Sequence, residues 1–470
     1  MIINKIKEYA NKKPNKIAYS IDNEKITYKE LYNNIQKYGE CLKREGDYPI
    51  IVYGHKSIDT FCAIFSCIYA KRTYIPIDTS IPIERVKNII NQTKSKLIIS
   101  DQKIDINNIT IVSLNDLLLY KNNNIIENNN TITYIIFTSG STGNPKGVPI
   151  SYKNLYNFIN WLSNIPYINK YSNINILNQA NFNFDLSVCD IFYSICNGNT
   201  LIGLNKTNYT DLDYIYNTIK NNNINFMVNT PTFIKMCLLE PLFNQDQLPD
   251  LKCILFCGEI LDITLVKNIY NRFPNIDIIN AYGPTEATCF VCASKISKDD
   301  LSNEILPVGD INNSSTNISI EDNKIILSGN SVFDGYLNIT DNNHKTINNI
   351  NYFNTNDLGY ISNNKLYCIG RNDSQIKLNG YRIELLEIEN SIKKFNYIND
   401  CIVLVKNNNN KVKYIKSYVT INKQVDIDII YNDLSKILPK YMIPKTIKIL
   451  KEMPVNNNGK IDRKGLENYD

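Results

Sequence analysis

A chain of 470 residues is too long for one simple hydrophobic core and divides into two or more domains, which its 43% hydrophobic content is sufficient to fill. The formal charge of +5 is small for this length and spread out, so there is no case for a nucleic-acid-binding protein. Ile, Asn, Lys and the 32 Tyr are over-used throughout, including Asn runs at 128–130 and 407–410, which reads as codon bias more than chemistry.

The first ten residues, Met1-Ile-Ile-Asn-Lys-Ile-Lys-Glu-Tyr-Ala10, carry charges every few positions and no uninterrupted apolar core, so they do not form a signal peptide. Strand-like apolar runs at 50–53, 96–100, 132–137, 252–257 and 276–280 alternate with helical periods at 83–92 and 265–273. That alternation predicts an α/β fold, a large layered N-terminal domain with a mostly parallel sheet. The most apolar helical stretch, 61–70, is too short to span a bilayer, and a soluble, cytoplasmic protein is expected. From Val308 onward the runs shorten and turn-rich breaks multiply, predicting a β-rich subdomain. The last block has strands at 401–405 and 414–419 and helices at 384–395 and 427–437, a small α+β domain. The expected division is 1–372 and 373–470.

Between the run 134–137 and the next elements lies Thr138-Ser-Gly-Ser-Thr-Gly-Asn-Pro-Lys-Gly147. Glycines at 140, 143 and 147 free the backbone to bring several N–H groups to a polyphosphate. The hydroxyls of Thr138, Ser139, Ser141 and Thr142 add short donors, and Lys146 adds a point charge. The order is not that of a Walker A loop, which disfavours an ordinary P-loop kinase or ATPase.

Most of the twelve cysteines sit in apolar runs, as at 61–67 and 253–257, where a free thiol packs as a small hydrophobe. Cys289 and Cys292 have the spacing of a redox or zinc pair. No second pair lies near them and the only histidines are His55 and His344, so a closed metal site lacks ligands and a structural role is expected.

The series 134–147, Asn280-Ala-Tyr-Gly-Pro-Thr-Glu286, Asp357, Gly370-Arg371-Asn-Asp373-Ser-Gln375-Ile-Lys377, Gly380-Tyr-Arg-Ile-Glu384 and Asn458-Gly-Lys460 resembles the adenylate-forming superfamily, in that family's order over nearly the whole chain. The finer motifs Asn178-Gln-Ala-Asn-Phe-Asn-Phe-Asp185, Thr230-Pro-Thr-Phe233 and Leu255-Phe-Cys-Gly-Glu259 are similar to those of its D-alanine-activating, carrier-protein ligases. Tyr53-Gly-His55 and Tyr74-Ile-Pro-Ile-Asp78 fit as well, which makes His55 a structural match and not a base.

The resemblance implies two half-reactions. A carboxylate attacks the α-phosphate of ATP to give an aminoacyl-adenylate, and a carrier-protein phosphopantetheine thiol then takes the acyl group. The first step brings anions together and calls for positive charge and Mg²⁺. Lys460 bridges carboxylate and α-phosphate in this reading, Glu286 holds the metal and Thr285 bonds the α-phosphate. Asn280, Ala281, Tyr282, Gly283 and Pro284 line the adenine, with Tyr282 as the stacking face. Asp357 and Arg371 take the ribose, beside Cys368, Ile369 and Gly370. Asp185 pairs with a substrate ammonium, which argues for an α-amino acid. Cys257 narrows the pocket around a small D-configured side chain, with Ala180 and Cys289 as further walls. Asp373 is the hinge about which the C-terminal domain rotates between steps. Lys440 and Lys445 are candidate contacts for an acidic D-alanyl carrier protein, whose D-alanine goes to teichoic and lipoteichoic acid.

There are departures from the family pattern. Thr355-Asn-Asp357 replaces Thr-Gly-Asp, and Asn356 tolerates the left-handed backbone such a turn needs. The Gly-Glu-x-Gly-Glu type of motif expected before Ile325 is missing, so 321–327 is expected to form a shortened hairpin, and Ala281 and Cys289 stand where the family pattern has Thr and Val, which bears on the fine shape of the pocket. Two other readings stay open at this point: a free-standing peptide-synthetase-type adenylation enzyme for another small amino acid, and a catalytically silent nucleotide or aminoacyl binder.

Overall fold

The computed structural model describes residues 1–44, 46–119, 131–140, 144–205, 210–371, 375–408, 411–454 and 461–467. The chain separates into two compact units. The first comprises Met1–Asp78, Thr93–Ile136 and Gly147–Asn372, and the second comprises Thr79–Gln92, Phe137–Lys146 and Asp373–Asp470.

The first unit holds an eight-stranded sheet in the order Cys292–Lys295, Asp277–Tyr282, Cys253–Phe256, Phe226–Asn229, Asn175–Asn178, Thr200–Gly203, Ile17–Ile21 and Glu24–Thr27. Its interior pairs are parallel and only the outermost pair at each edge is antiparallel. Parallel strands buried on both faces need near-continuous apolar sequence, which is what Cys253–Phe256 and Phe226–Asn229 supply. The register sets Val228 beside Asn178, Asn229 beside Phe256 and Phe256 beside Asn280, so the carboxyl ends of these strands finish together. In an open parallel sheet that rim is where ligands bind.

A second sheet runs Thr110–Val112, Leu97–Ile99, Ile50–Tyr53, Tyr74–Ile77, Ile132–Thr138 and Lys146–Ser151. One apolar cluster takes in side chains of both sheets and of the helices Ile58–Tyr69 and Leu186–Cys196. The helix Leu186–Cys196 is buried at every position, which accounts for a sequence that is apolar nearly all round. In Ile58–Tyr69, Phe61 and Phe65 are fully buried, each worth about 1.5–3 kcal/mol relative to exposure.

Downstream of these, an antiparallel sheet joins Gly309–Asp310, Lys365–Arg371, Ile350–Ser362, Lys324–Ser328 and Asn317–Glu321, with His344–Ile347 paired to the long strand. The stretch 321–327 closes as a two-residue hairpin, with Asp322 and Asn323 at φ of 50° and 62°. Positive φ at both central residues is the turn whose twist matches paired strands, and Asp and Asn tolerate it.

The second unit packs the hairpin Gln375–Leu378 and Tyr381–Glu384, the strands Ile398–Asn408, Lys411–Ile421 and Thr446–Leu450, and the helices Leu385–Lys393 and Ile427–Ile437. Ile383, Ile388, Ile392, Val403, Val419 and Leu434 are among the side chains of its core. Among the described residues no helix is long and apolar enough to cross a membrane.

Candidate nucleotide and amino-acid site

In the first unit, the strand Asp277–Tyr282 delivers Asn280, Ala281 and Tyr282 to the sheet rim, all of them buried. Asn280 donates Nδ2 to the Pro307 carbonyl at 2.9 Å, which fixes its side chain. Tyr282 donates its hydroxyl to Asp357 Oδ2 at 2.6 Å. Burial first, and Asp357 next, push the Tyr282 phenol well above its ordinary range, so it stays a donor. Asp357 and Arg371 face each other across paired strands, with Arg371 Nη1 2.6 Å from Asp357 Oδ1 and Nη2 donating to the Thr355 carbonyl at 3.1 Å. Asn356 has φ of 56°, the left-handed backbone expected where the family has glycine. Cys368 is half-buried and Ile369 is exposed on the strand that ends at Arg371.

After Tyr282 the chain turns through Gly283 and Pro284 into a short 3₁₀ helix, Thr285–Ala287. A Cβ at Gly283 would lie 2.3 Å from the Phe290 Cα, so only glycine lets these two backbones approach. The turn leaves Glu286 fully buried, accepting from the Tyr336 hydroxyl at 2.5 Å. Thr285 donates Oγ1 to Asp185 Oδ2 at 2.5 Å. Asp185 holds the N-cap position of the helix Leu186–Cys196 yet makes no capping bond to it, so its carboxylate is turned to Thr285 instead. That bond joins the residues assigned to the amino acid with those assigned to the phosphates.

Cys257 follows the strand Cys253–Phe256 and donates its backbone N–H to the Asn229 carbonyl at 3.2 Å, ahead of Gly258 at φ of 90°. Cys289 is buried in a left-handed conformation, φ 71°. Burial raises its thiol well above the ordinary value, and Asp185, Cys189 and Cys257 push it further. A neutral, unreactive thiol fits a wall and not a nucleophile. Ala180 is buried also. Cys292 begins the edge strand Cys292–Lys295, facing Tyr282 in register. His55 bonds through Nδ1 to Asp78 Oδ2 at 2.5 Å.

In the second unit, the described part of the Gly/Ser-rich loop is held by the 381–387 region. Ser139 donates Oγ to the Arg382 carbonyl at 2.9 Å and accepts from the Glu384 N–H at 3.1 Å. Gly140 N–H donates to Glu387 Oε2 at 2.9 Å, while Arg85 Nη1 lies 2.5 Å from Glu387 Oε1. Thr138 ends one strand and Lys146 begins the next. Lys440 and Lys445 are exposed. Ser141, Thr142, Gly143, Asp373 and Lys460 lie outside the described residues.

Sequence reasoning did not find Tyr336, Glu387 or Arg85. Tyr336 is 50 positions from Glu286, and Arg85 is 302 from Glu387, separations at which no local spacing carries a signal. Among the described residues no group of three or more His, Cys, Asp and Glu is arranged to hold a metal ion.

The sequence profile of AMP-binding enzymes matches residues 6–337. D-alanine–D-alanyl carrier protein ligases of Bacillus licheniformis and Staphylococcus haemolyticus are each 35% identical to this chain. The alignment covers 99% of both chains for the first and 98% of both for the second. The same-named protein of Listeria monocytogenes is 36% identical, over 99% of this chain and 98% of its own. In fold, the chain is similar to the Vibrio cholerae adenylation domain AlmE in complex with glycyl-adenosine-5′-phosphate. The TM-score is 0.83 at 20% identity, over 99% of this chain and 96% of that one. It is also similar to o-succinylbenzoate CoA synthetase of Bacillus subtilis, with a TM-score of 0.82 at 19% identity, covering 99% and 98%.

Proposed function

The chain belongs to the AMP-binding enzymes and, within them, to the D-alanine–D-alanyl carrier protein ligases, and we propose that its pocket performs both half-reactions of such a ligase. ATP and D-alanine are the substrates of the first. A carboxylate oxygen of D-alanine attacks the α-phosphorus, the bond from that phosphorus to the bridging oxygen breaks, and pyrophosphate leaves. In the second, the phosphopantetheine sulfur of a D-alanyl carrier protein attacks the acyl carbon and loses its proton to solvent. AMP departs as the thioester forms. The thioester then supplies D-alanine to teichoic and lipoteichoic acid, and we place the enzyme in the cytoplasm, where ATP is available.

The observation that carries this reading is the Thr285–Asp185 hydrogen bond, which sets a carboxylate suited to an ammonium against the turn assigned to the phosphates. Asp185 pairs with the D-alanine ammonium, and its partial burial strengthens the pairing relative to water. Cys257, with Cys289 and Ala180, leaves room for a methyl group on one side of the α-carbon. Tyr282 gives its ring to adenine, and Asp357, oriented by Arg371, accepts from the ribose hydroxyls. Thr285 passes its hydroxyl to the α-phosphate. Lys460 brings a point charge between the attacking carboxylate and the α-phosphate, stabilising charge that accumulates only in the transition state.

The residues present fit a magnesium ion. Glu286 is a hard oxygen donor, buried and held by the Tyr336 hydroxyl, and Mg²⁺ is commonly held by one or two carboxylates together with substrate phosphates and waters. When bound it supplies positive charge to the polyphosphate. Asp373 is the hinge of the C-terminal domain, and Lys440 and Lys445 meet the acidic carrier.

The test is transfer of label. With radiolabelled D-alanine and MgATP, a phosphopantetheine-bearing carrier protein acquires acid-stable, hydroxylamine-labile label and the carrier lacking phosphopantetheine does not. Equal labelling of both, or none, overturns the reading.

A further inference from the structure

Asn178 and Asp190, which flank Asp185 along the chain, belong with Lys56 to a buried polar cluster that neither half-reaction uses. Lys56 is 1% exposed, and Asn178 and Asp190 are wholly buried. Lys56 Nζ donates to the carbonyl oxygens of Asn178 at 3.0 Å and Gln179 at 2.7 Å. Asn178 donates Nδ2 to Asp190 Oδ2 at 2.9 Å and to the Ala180 carbonyl at 3.1 Å. Asp190 Oδ1 accepts from the Ile191 N–H at 3.0 Å, and the Tyr19 hydroxyl donates to the Lys56 carbonyl at 2.8 Å, pinning the lysine's own backbone.

These bonds bracket one segment. Residues 179–185 leave the end of the strand Asn175–Asn178 and finish on Asp185, where the helix Leu186–Cys196 begins. Lys56 grips the entrance of the segment by two backbone carbonyls. Asn178 ties that entrance to Asp190, about one and a half helical turns beyond Asp185. The segment is therefore fastened at both ends, and the carboxylate at its tip inherits that fixity.

An ammonium in this position is costly. Burial drives Lys56 down to about 7 and Asp190 up to about 8, and each charge draws the other back toward its ionised form. A well-packed apolar side chain would avoid the desolvation, so the lysine's return is sought in what its hydrogen bonds hold in place.

We propose that Lys56 is a positioning residue for amino-acid recognition. Acting with Asn178 and Asp190, it fixes the 179–185 segment so that Asp185 meets the substrate ammonium in one geometry. The inference rests on the reading of Asp185 given under the proposed function.

Full-length Lys56→Met, Asn178→Ser and Asp185→Ala variants are compared in ATP–pyrophosphate exchange, varying D-alanine and ATP separately. Asp185→Ala tests the ammonium reading by itself: a KM for D-alanine raised far more than that for ATP upholds it. Lys56→Met is then expected to raise the D-alanine KM about tenfold with the ATP KM within about twofold, the scale of one misplaced charge-assisted contact. Asn178→Ser gives the same split in smaller measure, and decides the matter alone if Lys56→Met does not fold. Equal rises in both KM values, or no rise, in the folded variants overturn the positioning role while Asp185→Ala behaves as expected. If Asp185→Ala spares D-alanine, the ammonium reading and this inference fall together.

Discussion

In the proposed function, Lys460 is the residue on which the chemistry of adenylation turns, because attack of one anion on another needs charge placed where it builds up. Replacing it with alanine should lower D-alanine-dependent exchange about 10²–10³-fold while ATP binding, measured by equilibrium dialysis, stays within a fewfold. Unchanged exchange would remove Lys460 from that role. Asn280 to Glu286, Asp357, Arg371 and Asp185 were picked out at this scale by their motifs, and the fold joins Tyr282 to Asp357, Asp357 to Arg371 and Thr285 to Asp185. What the motifs did not say was which of these residues bond to one another, or that Tyr336 holds Glu286. Asp357 is held between Tyr282 and Arg371, Glu286 by Tyr336, and Asp185 by Thr285, and each of these bonds spans residues distant in the chain or on another element. Lys56 was invisible for a further reason: a lysine in sequence reads as solvated surface, and only the fold reveals that it is buried.

At the scale of elements, the turn between Tyr282 and Glu286 depends on backbone approach. Gly283→Ala would put a Cβ 2.3 Å from the Phe290 Cα, backbone that has no rotamer by which to move aside. The expected cost is about 1–3 kcal/mol, seen as a lower denaturation midpoint, together with weakened ATP use because Thr285 and Glu286 ride on the same turn. A variant with the wild-type midpoint and ATP KM would refute the argument. Elements with a strong period were recoverable from sequence, and the helix Ile427–Ile437 has the expected bounds. The strand expected at 276–280 instead spans Asp277–Tyr282, because Ala281 and Tyr282 pair with Ala293 and Cys292 on the antiparallel edge. Such pairing is a property of the sheet and leaves no mark on the strand's own sequence. The hairpin expected from the shortened 321–327 stretch turns at Asp322 and Asn323, whose side chains suit such a turn.

For the whole molecule, sequence alternation gave the layered α/β unit and the smaller C-terminal unit, but the grouping of 79–92 and 137–146 with the latter could not be read from chain order. Those segments hold Arg85, Ser139 and Gly140, whose bonds to 382–387 are made by groups more than 240 positions apart. The central claim, that this chain activates D-alanine, is a property of the assembled pocket and is tested most directly by amino-acid-dependent ATP–pyrophosphate exchange. D-alanine, L-alanine, glycine, D-serine and a fatty acid are compared with MgATP. D-alanine is predicted to support exchange at least about tenfold better than any other, the order of discrimination a small apolar pocket gives, with the fatty acid inactive for want of an ammonium. Preference for another amino acid, or silence with all five, would contradict it.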